Sequence, residues 1–226
     1  MRLQISDLTT DRQWAAVTGF TRAQFEKLLV LFSQSYFELF GKTVAERQAE
    51  IEITPSLRSE EELLLFTLFT LFSLKSGLTY DALGFVCGMD ASNAKRNQQL
   101  GLQVLERALS AAQCLPRREF KDAAEFASYL QNETTVIIDG LEQRMQRPND
   151  DEVQRDFYSG KKKCHTVKAL NLCNPGKHIL YLSKCWVGKT QDYGMFKLEF
   201  PPGQPWFANL DVRLDLGFFG FEKDYQ

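Results

Sequence analysis

The sequence predicts an α+β protein: an all-α first part carrying a helix-turn-helix, then an α/β domain built on a mixed sheet. Three observations lead there. In the first half apolar residues recur at helical spacing, as in Phe25, Leu28, Leu29, Phe32 and Tyr36. The β-branched run Thr134-Thr135-Val136-Ile137-Ile138 then breaks that period with strand-forming material. Beyond it, Asn174-Pro175-Gly176-Lys177 is a strong hairpin turn between two apolar runs. A chain of 226 residues is long enough for one large domain or two small ones. The change of pattern puts the boundary at about residue 130, giving 1–130 and 131–226.

Taken in order, the helices are marked by their caps. Thr21 with Gln24 makes a capping box for a helix that Gly41 ends. Ser59 with Glu62 opens a second helix, apolar nearly all round and running to about Lys75, the expected centre of a small bundle. Thr79 caps Tyr80 to Val86, Gly88-Met89-Asp90 turns the chain, and Ala91 starts a helix to about Leu109. Two helices joined this way form a helix-turn-helix. The second begins with small residues and carries Asn93, Lys95, Arg96 and Asn97, with Gln98, as donors for base edges and phosphates. A plain helical hairpin with a solvated polar face has the same pattern. Pro116 with Arg117-Arg118 reads as a linker, and Glu119 to Leu130 as a short amphipathic helix.

In the second part the strand Thr134 to Ile138 is short and unalternating, which predicts burial on both faces and an end at Asp139. A carboxylate there is costly unless paired. Gly140 behind it permits a sharp turn or a close ligand. His165 to Leu172 and His178 to Ser183 are the strands of a hairpin, and a helix over Gln191 to Glu199 is capped by Thr190. The last strand begins near Asn209 and delivers Asp215, followed by Gly217. Two strands thus each end in an acid near a glycine. Convergent carboxylates repel unless a cation lies between them, and Mg²⁺ or Mn²⁺ suits hard oxygen ligands. Arg144, Arg147, Lys161, Lys162 and Lys163 can neutralise a phosphate backbone.

Composition narrows the rest. A net charge of −2 gives no global pull toward nucleic acid, so any DNA contact must come from local basic patches. The 5 cysteines are odd in number and hold no C-x-x-C, which fits a reducing cytoplasm; zinc is the lesser reading and buried strand cysteines the better one. The longest apolar run, Leu63 to Leu74, is too short to span a bilayer. The high count of 18 Phe predicts well-filled cores.

The string IIDGLEQRMQRPNDDEVQRDFYSGKKKCHTVKAL resembles the core of insertion-sequence transposases of the DDE superfamily. GKTQDYGMFK is similar to their G-S-x-H-D block, with Asp192 matching its acid, and LDLGFFGF to their D-x-G-Y-x-G motif. Gln191 stands where the family often has His, and Phe218 where it often has Tyr. The resemblance spans about residues 20 to 226 and is specific over 139–170. It implies an RNase H-like fold, two divalent metal ions held by three acids, and DNA as substrate. Asp139 matches the first acid and Asp215 the second, as catalytic residues and metal ligands. The third, a glutamate, has no match, since Glu222 is too close to the Asp215 strand. The expectation is a chain truncated before that acid, with Phe218, Phe219 and Phe221 exposed, and working in the cytoplasm at the nucleoid. A homodimer is a further expectation. The alternative is a non-catalytic DNA-binding remnant that represses transposition.

Overall fold

The computed structural model describes residues 5–44, 46–47 and 69–225. The protein is α+β, as expected, and divides into two compact units, Met1–Leu115 and Pro116–Gln226. The division falls ahead of residue 130, and the reason is packing. Arg117 exchanges backbone hydrogen bonds with Leu180 and Leu182 of the sheet, and Phe126 and Leu130 lie in the second unit's core.

The first unit contains α1 (Asp11–Thr18), α2 (Arg22–Phe40), a helical stretch at 69–76, α3 (Tyr80–Cys87) and α4 (Ala91–Ala111). Phe25, Leu28, Phe32 and Tyr36 of α2 are buried with Trp14 of α1 and with Val104 and Leu105 of α4. The Thr21/Gln24 capping box and the left-handed cap at Gly41 are both present. α1 was not expected, although Thr10 and Gln13 form the same capping box ahead of it. The start of the helix expected from Ser59 lies outside the described residues. α3 and α4 pack through Leu83, Cys87 and Ala94 against Phe69. Between them Gly88 takes a left-handed conformation, φ 71°, and Asp90 caps α4.

The second unit is a mixed sheet with helices. After α5 (Ala123–Tyr129) come β1 (Thr135–Arg144), α6 (Asp151–Phe157), β2 (Tyr158–Ser159), β3 (Cys164–Cys173), β4 (Ile179–Leu182), β5 (Trp186–Val187), α7 (Asp192–Glu199), β6 (Asp211–Leu214) and α8 (Phe221–Asp224). β3 pairs antiparallel with β1 and also with β2, β4 and β5. β1 pairs on its other edge with β6, in parallel. The turn at 174–177 forms as expected, with Lys177 at φ 65°.

Two expectations about β1 need correction. The strand does not end at Asp139; it continues to Arg144, because β3 pairs with it as far as Arg144↔Thr166. Nor is it buried on both faces. Val136 and Ile138 are buried, while Ile137 is half-buried and Asp139 and Leu141 are exposed, so helices cover one face only. The core on that face is aromatic: Phe126, Phe196, Phe200, Trp206 and Phe207 form a contiguous set of ring contacts. Phe218 is buried within it and Phe221 packs against it, so of the three phenylalanines expected at the surface only Phe219 is open, at 92% exposure.

Candidate active site

The parallel pairing of β1 with β6 sets Ile138 opposite Leu214. Asp215 follows Leu214 with extended backbone, φ −83° and ψ 173°, so Asp139 and Asp215 stand side by side one step further on. Neighbouring strands are about 4.8 Å apart, which brings both carboxylates to one place. Successive side chains alternate between faces. Val136, Ile138, Val212 and Leu214 point to the core, and both acids point to the opposite, open face. On β3 the residue paired with Asp139 is Asn171. Three adjacent strands therefore carry Asn171, Asp139 and Asp215 in one row.

Each acid makes one local bond. Asp139 Oδ1 accepts from the Gly140 N–H at 2.8 Å, and Asp215 Oδ1 accepts from the Gly217 N–H at 2.8 Å. The first is a bond to the next residue within β1, and the second caps the turn that follows β6. They leave Oδ2 of each free of protein donors among the described residues. A pair of hard carboxylate oxygens is a donor set a divalent cation takes, and these residues fit one. Among the described residues no three His, Cys, Asp or Glu side chains cluster as a metal site. The cysteines do not form one: all five are free, with Cys87 buried, Cys164 and Cys173 half-buried and Cys114 and Cys185 exposed, so burial accounts for fewer of them than expected.

Directly behind the row, the core face is fully paired. Asp192, at the start of α7, lies against the backbone of Gly140, where a Cβ would come within 3.0 Å of its carboxyl carbon. Glycine at 140 thus makes room for Asp192 rather than for a turn. Lys168 Nζ bonds Asp192 Oδ1 at 2.9 Å and the Thr190 carbonyl at 2.8 Å. The Thr190 side chain does not cap α7; Gln191 occupies that position without a side-chain bond. Glu142 accepts from Thr166 Oγ1 at 2.9 Å. Burial works against its ionised form, but hydrogen bonds from Ser159 and Thr166 with the charges of Lys168 and Lys162 outweigh it, and its pKa is lowered.

Residues 138–199 match the DDE superfamily endonuclease family. The second unit thus carries a segment similar to DDE-superfamily endonucleases. It begins one residue before Asp139 and ends with α7, so Asp215 lies beyond it and is joined to Asp139 by the sheet register alone. No curated protein and no solved structure matches the chain.

Within the endonuclease segment the basic residues gather at the far end of the same strands. Arg144 closes β1, and Lys161, Lys162 and Lys163 form the turn between β2 and β3, all exposed. Arg147 bonds Gln154 at 2.8 Å and lines a cleft of about 540 Å³ with Asp151, Arg155, Tyr158 and His165. Arg144 is five residues from Asp139 along β1, about 17 Å at 3.4 Å per residue.

The residues singled out on α4 divide into two kinds. Asn93 is engaged with the cap: its N–H donates to Asp90 at 2.8 Å, its side-chain amide donates to the same carboxylate, and Arg96 bonds its Oδ1 at 2.7 Å. Asn97 donates to the Met89 sulfur at 3.3 Å and Gln98 to Ser73 at 3.0 Å. Lys95 and Arg96 are exposed. Sequence reasoning missed Asn171, Glu142 and the role of Lys168. A polar residue inside the apolar run Val167 to Leu172 was the available signal for the first; the pairings need the register.

Proposed function

We propose that the second unit is the catalytic part of an insertion-sequence transposase that cuts and joins DNA strands at element ends. The observation that carries this reading is the parallel register that brings Asp139 and Asp215 together on the open face of a DDE endonuclease segment. The strand order β4-β3-β1-β6, in which only β1 and β6 run parallel, supports an RNase H-like fold. Asp139 and Asp215 would hold Mg²⁺ or Mn²⁺, and a divalent ion bound there supplies charge stabilisation at phosphoryl oxygens and a more acidic bound water. The remaining work falls to the chain's own residues. Arg144, Arg147 and Lys161 to Lys163 hold the DNA backbone roughly five base pairs away, at 3.4 Å per pair. Lys95 and Arg96 of α4 take phosphates as the outward residues of a helix-turn-helix, with Asn93 and Asn97 holding its shape. DNA is the substrate, and a second copy of the chain is the natural partner for acting on two element ends.

Two acids, not three, converge among the described residues. That observation favours a second reading, a repressor that occupies element ends without cutting them. The test is a strand-cleavage assay in Mg²⁺ or Mn²⁺ on DNA carrying the ends. Cleavage that vanishes with Asp139→Ala and with Asp215→Ala supports the enzyme. DNA binding without cleavage supports the repressor, and cleavage indifferent to Asp139→Ala overturns the assignment of the site.

A further inference from the structure

We infer that Asn171 supplies a third oxygen to the divalent-cation site of Asp139 and Asp215, so that three adjacent strands each contribute one ligand. The inference rests on the reading of Asp139 and Asp215 given above and names a residue which that reading does not require.

Asn171 is the antiparallel partner of Asp139. Residues directly opposite in such a pair have Cα atoms about 4.5–5.5 Å apart and side chains on the same face. The amide of Asn171 thus stands beside the Asp139 carboxylate, with Asp215 one strand further along. Its Oδ1 is buried and takes no hydrogen bond from the described residues, the only such side-chain atom among them. A buried carbonyl oxygen without a donor is rare and calls for a water or an ion.

The cationic side chains nearby are turned elsewhere. Lys168 lies on the opposite face, bonded to Asp192 and the Thr190 carbonyl. Arg213, which shares the row's face one step back on β6, bonds Asp211 at 3.2 Å. The other two members of the row are carboxylates, which accept and do not donate when ionised. A water satisfies the amide but leaves two like charges facing each other. A divalent cation answers both needs, and amide carbonyls are ordinary ligands of hard cations beside carboxylates.

The experiment is calorimetric titration of the 226-residue chain with Mn²⁺, without DNA, with urea unfolding of every variant to confirm that it is folded. Asn171→Leu, which keeps the volume and removes the oxygen, is expected to weaken Mn²⁺ binding by roughly tenfold or more. Asn171→Asp is expected to match or exceed the wild type, because it supplies a charged oxygen at the same point. Unchanged affinity in Asn171→Leu overturns the inference. Loss of affinity in Asn171→Asp also overturns it, since that is the result if the amide were donating to Asp139. Asp139→Asn separates this failure from failure of the underlying reading. If it abolishes binding while Asn171→Leu does not, only the role of Asn171 is wrong. If Mn²⁺ binding is indifferent to Asp139→Asn, both are.

Discussion

The two faces of β1 use the same kinds of residue to opposite ends. On the core face, Gly140 admits Asp192, Lys168 neutralises it, and Thr166 bonds Glu142, so these polar groups find partners within the fold. On the open face, one residue along, Asp139, Asp215 and Asn171 keep oxygens that nothing in the described chain answers. Charged groups satisfied internally serve stability, whereas those left unsatisfied and in register point outward to a ligand. The α4 helix repeats the contrast on a smaller scale, with Asn93 and Asn97 tied to Asp90 and Met89 while Lys95 is exposed and Arg96, also exposed, is held by Asn93.

Mutations on the two faces should therefore separate. The largest loss of stability is expected from the aromatic core behind the sheet. Phe196 is wholly buried among Phe200, Phe207 and Phe218, and Phe196→Ala should cost about 4 kcal/mol in urea unfolding. A cost below about 1 kcal/mol would mean that the core is not packed as described. Next comes Lys168→Met, which leaves Asp192 without its partner in a site where the lysine side chain is 10% exposed and the aspartate 29%. With that partial exposure, a cost of about 2 kcal/mol is expected. No change in unfolding midpoint would remove the pair from the account of the core face.

How much of this was legible beforehand follows from the same contrast. Caps and periodicity are local, so Thr21, Gly41, Thr79 and the turn at Gly88 marked their helices correctly. The acids at 139 and 215 were legible as sequence motifs. Their convergence was an expectation of the two strand-end acids and the family resemblance, whereas the place of Asn171 beside them depends on which strand pairs with which and in what register, which no local pattern encodes. The continuation of β1 past Asp139 was hidden for the same reason. Gly140 suggested a turn, and only the approach of Asp192 from far along the chain explains it. α6 was missed because its seven residues lie in a polar, basic stretch, although Asp150 caps it through the N–H groups of Glu152 and Val153.

Smaller effects sharpen the comparison. Removing the cap with Asp90→Ala should lower the urea midpoint slightly, and an unchanged midpoint would show that the cap contributes nothing. Arg96→Ala should leave stability within about 0.5 kcal/mol. It should instead weaken DNA binding and reduce its salt slope by about one. An unchanged slope would show that Arg96 is not a phosphate contact. Acid titration tests Glu142. Its folded pKa lies below the ordinary 4.5, so its contribution to stability is present above that value and lost as pH falls through the folded pKa. Glu142→Gln should flatten that part of the acid dependence, and an identical acid profile would contradict the pairing. A small stability effect is also expected from Asp139→Asn and Asp215→Asn, within about 0.5 kcal/mol without metal, since each makes only a local bond.

The central claim is that the open-face acids form one cation site, and an anomalous difference map from Mn²⁺-soaked crystals tests it most directly. The account predicts a peak within about 2.2 Å of a carboxylate oxygen from both Asp139 and Asp215. A peak held elsewhere, or by only one of the two, with their carboxylates turned apart, would contradict it.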